Sequence, residues 1–406
     1  MRKHQLLSLS LLALLPLLFA LPTQAVLTPV GSPLVIAEQP FCTFETEVEV
    51  IATPAGAFEV VWPFDVHFPD NTICEVRGLR FARNLQPTGP PRALLPVHGG
   101  LEFSSLVGTW AGRYELVMNA DDYGNNPGDP PAAYRVSLDL EGDPLAPPAR
   151  FKPTRFIELA PAAGGDSLQF RFEPPFFGPP GCQSRGLLAR RIGPTGAPLS
   201  AESRVNRRAS AWSDFRLAVD RLPNDTFVAA YSTCQKFVGL VARRLNAAGA
   251  PVGKPINLPL PGRVANSGAR AISVAARGTD FAVAAYVDGP TVRAYTVGVV
   301  NGQVFGPTPI GAVVDLEASP SGGYLLLFRA ASGDPSHPTL FAQELDARGV
   351  PQGTPLAISG EEGSAGVEGA IASLPNGRWI VITRAQQGDP GACSERVVGT
   401  ILAATP

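Results

Sequence analysis

Apolar runs of about five residues recur along this chain, and turn residues rather than helical spacing separate them. The runs are Phe58 to Trp62, Tyr114 to Met118, Leu168 to Phe172, Phe227 to Tyr231, Ala282 to Tyr286, Tyr324 to Phe328 and Trp379 to Thr383. Each follows a short turn, as in Pro54-Ala-Gly-Ala57, Trp110-Ala-Gly-Arg113, Ala163-Gly-Gly-Asp166, Pro223-Asn-Asp-Thr226, Arg277-Gly-Thr-Asp280, Pro320-Ser-Gly-Gly323 and Pro375-Asn-Gly-Arg378. Glycine and asparagine enter positive φ at little cost, so such a turn between apolar runs predicts a hairpin. A continuous apolar run, in place of strict alternation, predicts a strand covered on both faces.

A second periodic feature lies downstream in each copy. Gly89, Gly142, Gly196, Gly249, Gly302 and Gly349 are spaced 53, 54, 53, 53 and 47 residues apart. Related text precedes several of them: Arg80-Phe-Ala-Arg-Asn84, Leu188-Ala-Arg-Arg-Ile192, Val241-Ala-Arg-Arg-Leu245 and Ala342-Gln-Glu-Leu-Asp346. Each copy therefore has four strands: A before the first turn, B after it, C before the period glycine and D after it. Four antiparallel strands repeated at this spacing, with no helix between them, predict an all-β fold, a seven-bladed β-propeller.

The chain ends decide between a ring and an open array. The seventh copy stops after strand C, and a matching D strand stands near the start as Pro29-Val-Gly-Ser-Pro-Leu-Val-Ile36, close to Pro251-Val-Gly-Lys-Pro-Ile-Asn-Leu258. Residues 26–40 are thus expected to supply the outer strand of the last blade, closing one domain over 26–406 and removing the exposed edges of an open array. The stretch from Ala242 to Gly253, with Gly278 to Tyr286 after it, resembles the degenerate propeller-like repeats of secreted and surface-exposed bacterial proteins. That resemblance covers nearly all of the chain after residue 25. It implies a scaffold or binding surface and carries no fixed catalytic set.

Composition agrees, since 42 Gly and 42 Pro among 406 residues leave little room for long helices. At the start, Arg2 and Lys3 precede the apolar run Leu6 to Leu21 and the small residues up to Ala25, which reads as a secretory leader cleaved after Ala25. The run is short for a spanning helix and Pro22 ends it, so no membrane insertion is expected. Without Arg2 and Lys3 the chain carries 31 basic residues against 35 acidic ones, a net charge of about −4. Such a balance argues against a nucleic-acid partner. A periplasmic or secreted monomer is expected.

Four of the five cysteines stand just before strand C: Cys74, Cys182, Cys234 and Cys393. In an oxidising compartment these predict disulfides, with Cys182 and Cys234 in adjacent blades as the preferred pair. Cys74, Cys393 and Cys42 compete for a second bond across the closure.

Candidate chemistry falls on the B-to-C loops, which are long and differ from copy to copy, as binding loops on a rigid scaffold do. The residues singled out are Asp70, the group Asp121, Asp122, Tyr123 and Asp129, then Phe176, Phe177, Asp334, His337 and Asp389. The three aspartates at 121, 122 and 129 offer oxygen donors to calcium, but their spacing is not that of an EF-hand and such residues also simply make turns. No catalytic set emerges. The histidines are scattered, and there is no nucleophile elbow or phosphate loop. Two readings follow. The first is an exported propeller binding a protein or envelope glycan through its B-to-C loops; the alternative is a propeller hydrolase cleaving an extracellular saccharide with paired loop carboxylates. The arginine pair at 243 and 244 is expected to serve strand edges and solvent.

Overall fold

The computed structural model describes residues 26–39, 48–53, 55–65, 74–97, 101–109, 113–120, 132–139, 143–147, 149–151, 157–172, 184–193, 196–210, 217–234, 238–259, 269–287, 293–319, 322–330, 339–358, 364–387 and 394–405. Among these residues helix is confined to two single 3-10 turns, Ala163–Gly165 and Pro223–Asp225. The chain opens with β1 (Val26–Pro29) and β2 (Leu34–Gln39). Repeat 1 is β3 (Glu49–Ala52), β4 (Phe58–Asp65), β5 (Cys74–Phe81) and β6 (Arg92–Val97). Repeat 2 is β7 (Leu101–Thr109), β8 (Arg113–Ala120), β9 (Ala132–Leu138) and β10 (Ala149–Phe151). Repeat 3 is β11 (Ile157–Pro161), β12 (Ser167–Phe172), β13 (Ser184–Ile192) and β14 (Ser203–Ser210). Repeat 4 is β15 (Leu217–Leu222), β16 (Thr226–Cys234), β17 (Val238–Leu245) and β18 (Pro251–Leu258). Repeat 5 is β19 (Ala269–Arg277), β20 (Asp280–Val287), β21 (Arg293–Val300) and β22 (Gln303–Ile310). Repeat 6 is β23 (Ala312–Ala318), β24 (Tyr324–Ala330), β25 (Thr339–Leu345) and β26 (Pro351–Ala357). Repeat 7 is β27 (Ser364–Leu374), β28 (Arg378–Gln387) and β29 (Ser394–Thr405).

Within repeats 1 to 6 the strands pair antiparallel in sequence order, A to D, and in repeat 7 β27, β28 and β29 pair in the same order. Repeats 3 and 4 are joined into one eight-stranded sheet by a single bridge, Ala209 opposite Thr233. The described side chains of the B strands are almost all buried: Phe227 to Tyr231 in β16, Phe281 to Ala285 in β20 and Tyr324 to Phe328 in β24. They are covered on both faces because each core cluster spans two neighbouring repeats. One joins repeats 3 and 4 around Phe170 and Phe227, the next joins 4 and 5 around Val228 and Phe281, and another joins 7 and 1 around Ile380 and Phe58. Burial of each large side chain contributes about 1.5–3 kcal/mol, so the sheets are held mainly by their faces.

The D strands are the exposed edges, and prolines punctuate them: Pro251 and Pro255 in β18, Pro307 and Pro309 in β22, Pro351 and Pro355 in β26. Proline has no N–H to offer a further strand, which suits an edge that must not pair with another molecule. Gly253 and Gly353 sit at φ of +69° and +68° opposite breaks in register, the positions of β-bulges. Gly31 takes the same conformation at +78°.

That equivalence extends to the chain start. Pro29 stands opposite Leu402 just as Pro251 stands opposite Leu245 and Pro351 opposite Leu345. The segment expected as one D strand is two, β1 and β2, separated around Gly31, and both pair with β29. Leu27 of β1 is buried with Leu327, Leu340 and Trp379. The innermost strands touch in order: β3 packs beside β7, β7 beside β11, then β15, β19, β23 and β27 in turn, and β27 lies beside β3.

One expected position is corrected. The turn between C and D is marked by an amide reaching back three residues, as Gly249 N–H does to the Asn246 carbonyl at 2.9 Å and Gly349 N–H to Asp346 at 3.0 Å. In repeat 1 the residue making that bond is Leu85, to Ala82 at 2.8 Å, and Leu85 carries the positive φ of +67°; Gly89 lies beyond the turn. Leucine tolerates this because its side chain packs against the cluster shared by repeats 7 and 1, offsetting the backbone cost of about 1–2 kcal/mol.

Candidate functional site

The residues expected to bind ligand all lie outside the described residues: Asp70, Asp121, Asp122, Tyr123, Asp129, Phe176, Phe177, Asp334, His337 and Asp389. So do Cys42, Cys182 and Cys393, and the side chains of Cys74 and Cys234. What the structure does describe is the turn end and the innermost strands, and both carry polar groups where the sequence offered no motif.

At the turn end, polar contacts cross from one repeat to the next. Arg191 at the end of β13 donates to Asp166 at 2.8 Å and to the Ala163 carbonyl at 2.8 Å, and it pairs with Asp225 of the next repeat. Asp225 also accepts the Ala163 amide at 2.7 Å. Burial alone would lower the guanidinium, but its hydrogen bonds to Asp166 and Asp225 hold it above the ordinary arginine value. Arg135 donates to the Gly193 carbonyl at 3.1 Å, Arg244 to Thr279 at 2.7 Å, and Thr296 to Gly349 at 2.7 Å. Arg244 also lies over the Phe281 ring, 5.5 Å from its centroid. Arg243 and Arg244 are expected to serve strand edges and solvent; Arg244 is half-buried, and at the C-strand end its guanidinium also reaches the Thr279 carbonyl of the neighbouring repeat.

The innermost strands carry carboxylates. Glu49 in β3, Glu158 in β11 and Asp315 in β23 each stand five residues before the first residue of the A-to-B turn, while Asp220 in β15 and Glu317 in β23 stand three before it. Glu368 lies in β27. Asp220 accepts its own strand's Arg221 amide and, across the joint to β19, the Ala276 amide, both at 2.6 Å. Asp315 repeats the device two repeats on. It accepts the Leu316 amide at 2.7 Å, the Ser273 hydroxyl of β19 at 3.2 Å and the Ile371 amide of β27 at 2.9 Å. In both cases the residue bridged lies 56 positions ahead, close to one repeat length.

Burial, opposed by its amide hydrogen bonds, raises Asp220 to about 6. Burial raises Glu317 to about 8, with the charge of Asp220 adding to the shift and the Ser373 hydroxyl opposing it. Glu49 is pushed well above the carboxylate range by burial and then by the charges of Asp315, Glu158 and Glu368. By exposed surface Glu49, Asp220, Asp315 and Glu317 are only half-buried. The charges of Asp315, Glu158 and Glu368, from three other repeats, all bear on Glu49. Their signal in the sequence is an acidic residue within an apolar A strand at a fixed offset from the turn. The long, divergent loops at the other end are the louder signal and point away from it.

Among the described residues no group of three or more His, Cys, Asp and Glu is disposed to hold a metal ion. No described helix is long and apolar enough to cross a membrane.

No family model and no curated protein matches the sequence. Solved structures do resemble the fold at low identity. A protein of unknown function from Dyadobacter fermentans is 12% identical, with a TM-score of 0.47 over 93% of this chain and 100% of its own. The β-propeller domain of the Trilobed protease from Pyrococcus furiosus is 10% identical, with a TM-score of 0.47 over 86% of this chain and 96% of its own. An α-L-arabinanase from Penicillium chrysogenum, solved with arabinobiose, is 14% identical, with a TM-score of 0.43 over 92% of this chain and 97% of its own. The class is thus an all-β protein of repeated four-stranded antiparallel sheets with propeller proteins among its structural neighbours. Likeness at this level carries no argument about activity.

Proposed function

We propose that the chain is an exported, closed seven-bladed propeller, with residues 26–40 as the outer strand of its last blade, that binds a protein or envelope glycan through its B-to-C loops. The observation that carries this reading is the difference between the two ends. The turn end uses short, similar turns tied to one another by hydrogen bonds of 2.7–3.1 Å such as Arg135 to Gly193, Arg244 to Thr279 and Thr296 to Gly349. The other end carries B-to-C connections of 3 to 11 residues whose composition differs from repeat to repeat. A rigid base with divergent loops opposite is the arrangement of a binding scaffold. The cyclic order of the innermost strands and the pairing of β1 and β2 with β29 support the closed ring.

The test is a pull-down with protein 26–406 against envelope protein and polysaccharide fractions. A component should be retained, and the paired changes Phe176→Ala with Phe177→Ala should weaken it by about tenfold, as removal of an aromatic anchor does. Retention of nothing from either fraction ends the reading. Non-reducing peptide mapping checks the export half of the proposal: Cys182 should be bonded to Cys234, and five free thiols would contradict an oxidising destination.

A further inference from the structure

The sequence contains two Asn-Gly pairs, Asn301-Gly302 and Asn376-Gly377. The fold places both in hairpin turns, with the asparagines exposed and all four residues at positive φ. A glycine after asparagine offers its backbone nitrogen without a side chain to crowd it, and neither glycine has an atom within 4 Å of where a Cβ would stand. That nitrogen can attack the asparagine side-chain carbonyl carbon. The N–Cγ bond forms and ammonia leaves carrying the amide proton. Water then opens the cyclic imide at either carbonyl, giving aspartate or isoaspartate. We propose that Asn376 is a site of this spontaneous deamidation in the folded protein, and that the fold protects the chemically identical pair at Asn301.

What separates the two turns is how tightly each is closed. Cyclisation needs rotation about the asparagine Cα–C bond to bring the glycine nitrogen onto Cγ, so the turn must first open. Between β21 and β22 the loop has two residues: Val300 stands opposite Gln303 directly across it, and the Asn301 amide donates to the Asp280 carboxylate at 2.8 Å. Opening it breaks a ladder pair and a charge-assisted hydrogen bond. Between β27 and β28 the loop is closed by Leu374 opposite Arg378, which leaves Pro375, Asn376 and Gly377 outside the ladder. Among the described residues no backbone hydrogen bond crosses this turn, whereas the corresponding turns of repeats 1 and 6 have Gly56 N–H on the Thr53 carbonyl at 2.9 Å and Gly322 N–H on Ser319 at 3.1 Å. Asn224 also stands at positive φ in an exposed turn, but the residue after it is Asp225, whose side chain crowds the attacking nitrogen and is tied to Arg191. Conversion at Asn376 puts a negative charge on the turn end and, in the isoaspartyl form, an extra backbone carbon next to Pro375, which lies 3.2 Å from where a Gly56 Cβ would stand. The B-to-C loops are untouched, so this inference does not depend on what they bind.

Peptide mapping of protein 26–406 held in mildly alkaline buffer is the test. The Asn376 peptide should gain the mass of an amide-to-acid change and split into aspartyl and isoaspartyl forms. Conversion at Asn301 should be slower by about tenfold or more, because a charge-assisted hydrogen bond must open first. In urea, where neither turn exists, the two sites should convert at similar rates. Asp280→Ala, which removes the acceptor of the Asn301 amide, should speed conversion at Asn301 and leave Asn376 unchanged. Asn376 intact in the folded protein over a period that converts it in urea overturns the proposal, as does Asn301 converting as fast as Asn376 or an Asn301 rate unmoved by Asp280→Ala. Should that variant fail to fold, the ratio of the two rates in the native protein against their ratio in urea decides.

Discussion

Asp220 and Asp225 lie on one strand and the turn that follows it, and they are held in opposite ways. Asp225 meets Arg191 from the preceding repeat, Arg221 at 3.2 Å and the Ala163 amide at 2.7 Å. Asp220 meets only amides, those of Arg221 and Ala276. The turn end is thus tied by compensated charge, while Asp220 on the innermost strand is tied by backbone amides. Burial raises Asp220 to about 6 against the pull of those amides, so holding its charge inside the fold costs stability as pH rises.

The largest effect should come from crowding the turn end. A Cβ on Gly298 would stand 2.3 Å from the Arg348 backbone of the next repeat, so Gly298→Ala should cost about 3 kcal/mol or more in urea unfolding. Gly253, with positive φ but nothing within 4 Å, should cost only about 1–2 kcal/mol when changed to alanine. Arg191→Ala should cost about 2–3 kcal/mol, since it leaves Asp166, Asp225 and the Ala163 carbonyl without their shared donor. A cost well below 1 kcal/mol there would erase the contrast between the two regions. At the innermost strands, Glu317→Gln should be nearly neutral at pH 5 and stabilise the protein by more than about 1 kcal/mol at pH 8.5. Smallest of all, Val252→Ser on the exposed outer edge should change stability by less than about 0.5 kcal/mol.

Much of this architecture is legible in the sequence because it follows from local chemistry. The B strands announce themselves as unbroken apolar runs, and the Pro-Val-Gly text of 29–31 and 251–253 marks equivalent bulged strands. Leu85 escapes because positive φ is the habit of glycine and asparagine, and a tertiary contact outweighs that preference here. Arg191 and Arg244 are visible as residues, but their partners come from the next repeat, about fifty positions away, where no local pattern points. The inner carboxylates are hidden for a related reason. An acidic residue in a strand reads as solvent-facing, whereas Asp220 of β15 and Asp315 of β23 accept the amides of Ala276 and Ile371 from neighbouring repeats.

The most direct test is the unfolding free energy of protein 26–406 as a function of pH, compared with Glu317→Gln. Glu317 is raised from 4.5 to about 8 and Asp220 from 3.8 to about 6 on folding. A carboxyl raised in the folded state contributes stability that is complete below its unfolded value and is lost as pH climbs through its folded value. Between pH 5 and pH 8.5 native stability should therefore fall, by up to about 1.4 kcal/mol per pH unit for each proton held by the folded chain, and the fall should be shallower in Glu317→Gln. Stability that is level or rises across that window, with the variant parallel to the native protein, would contradict the account.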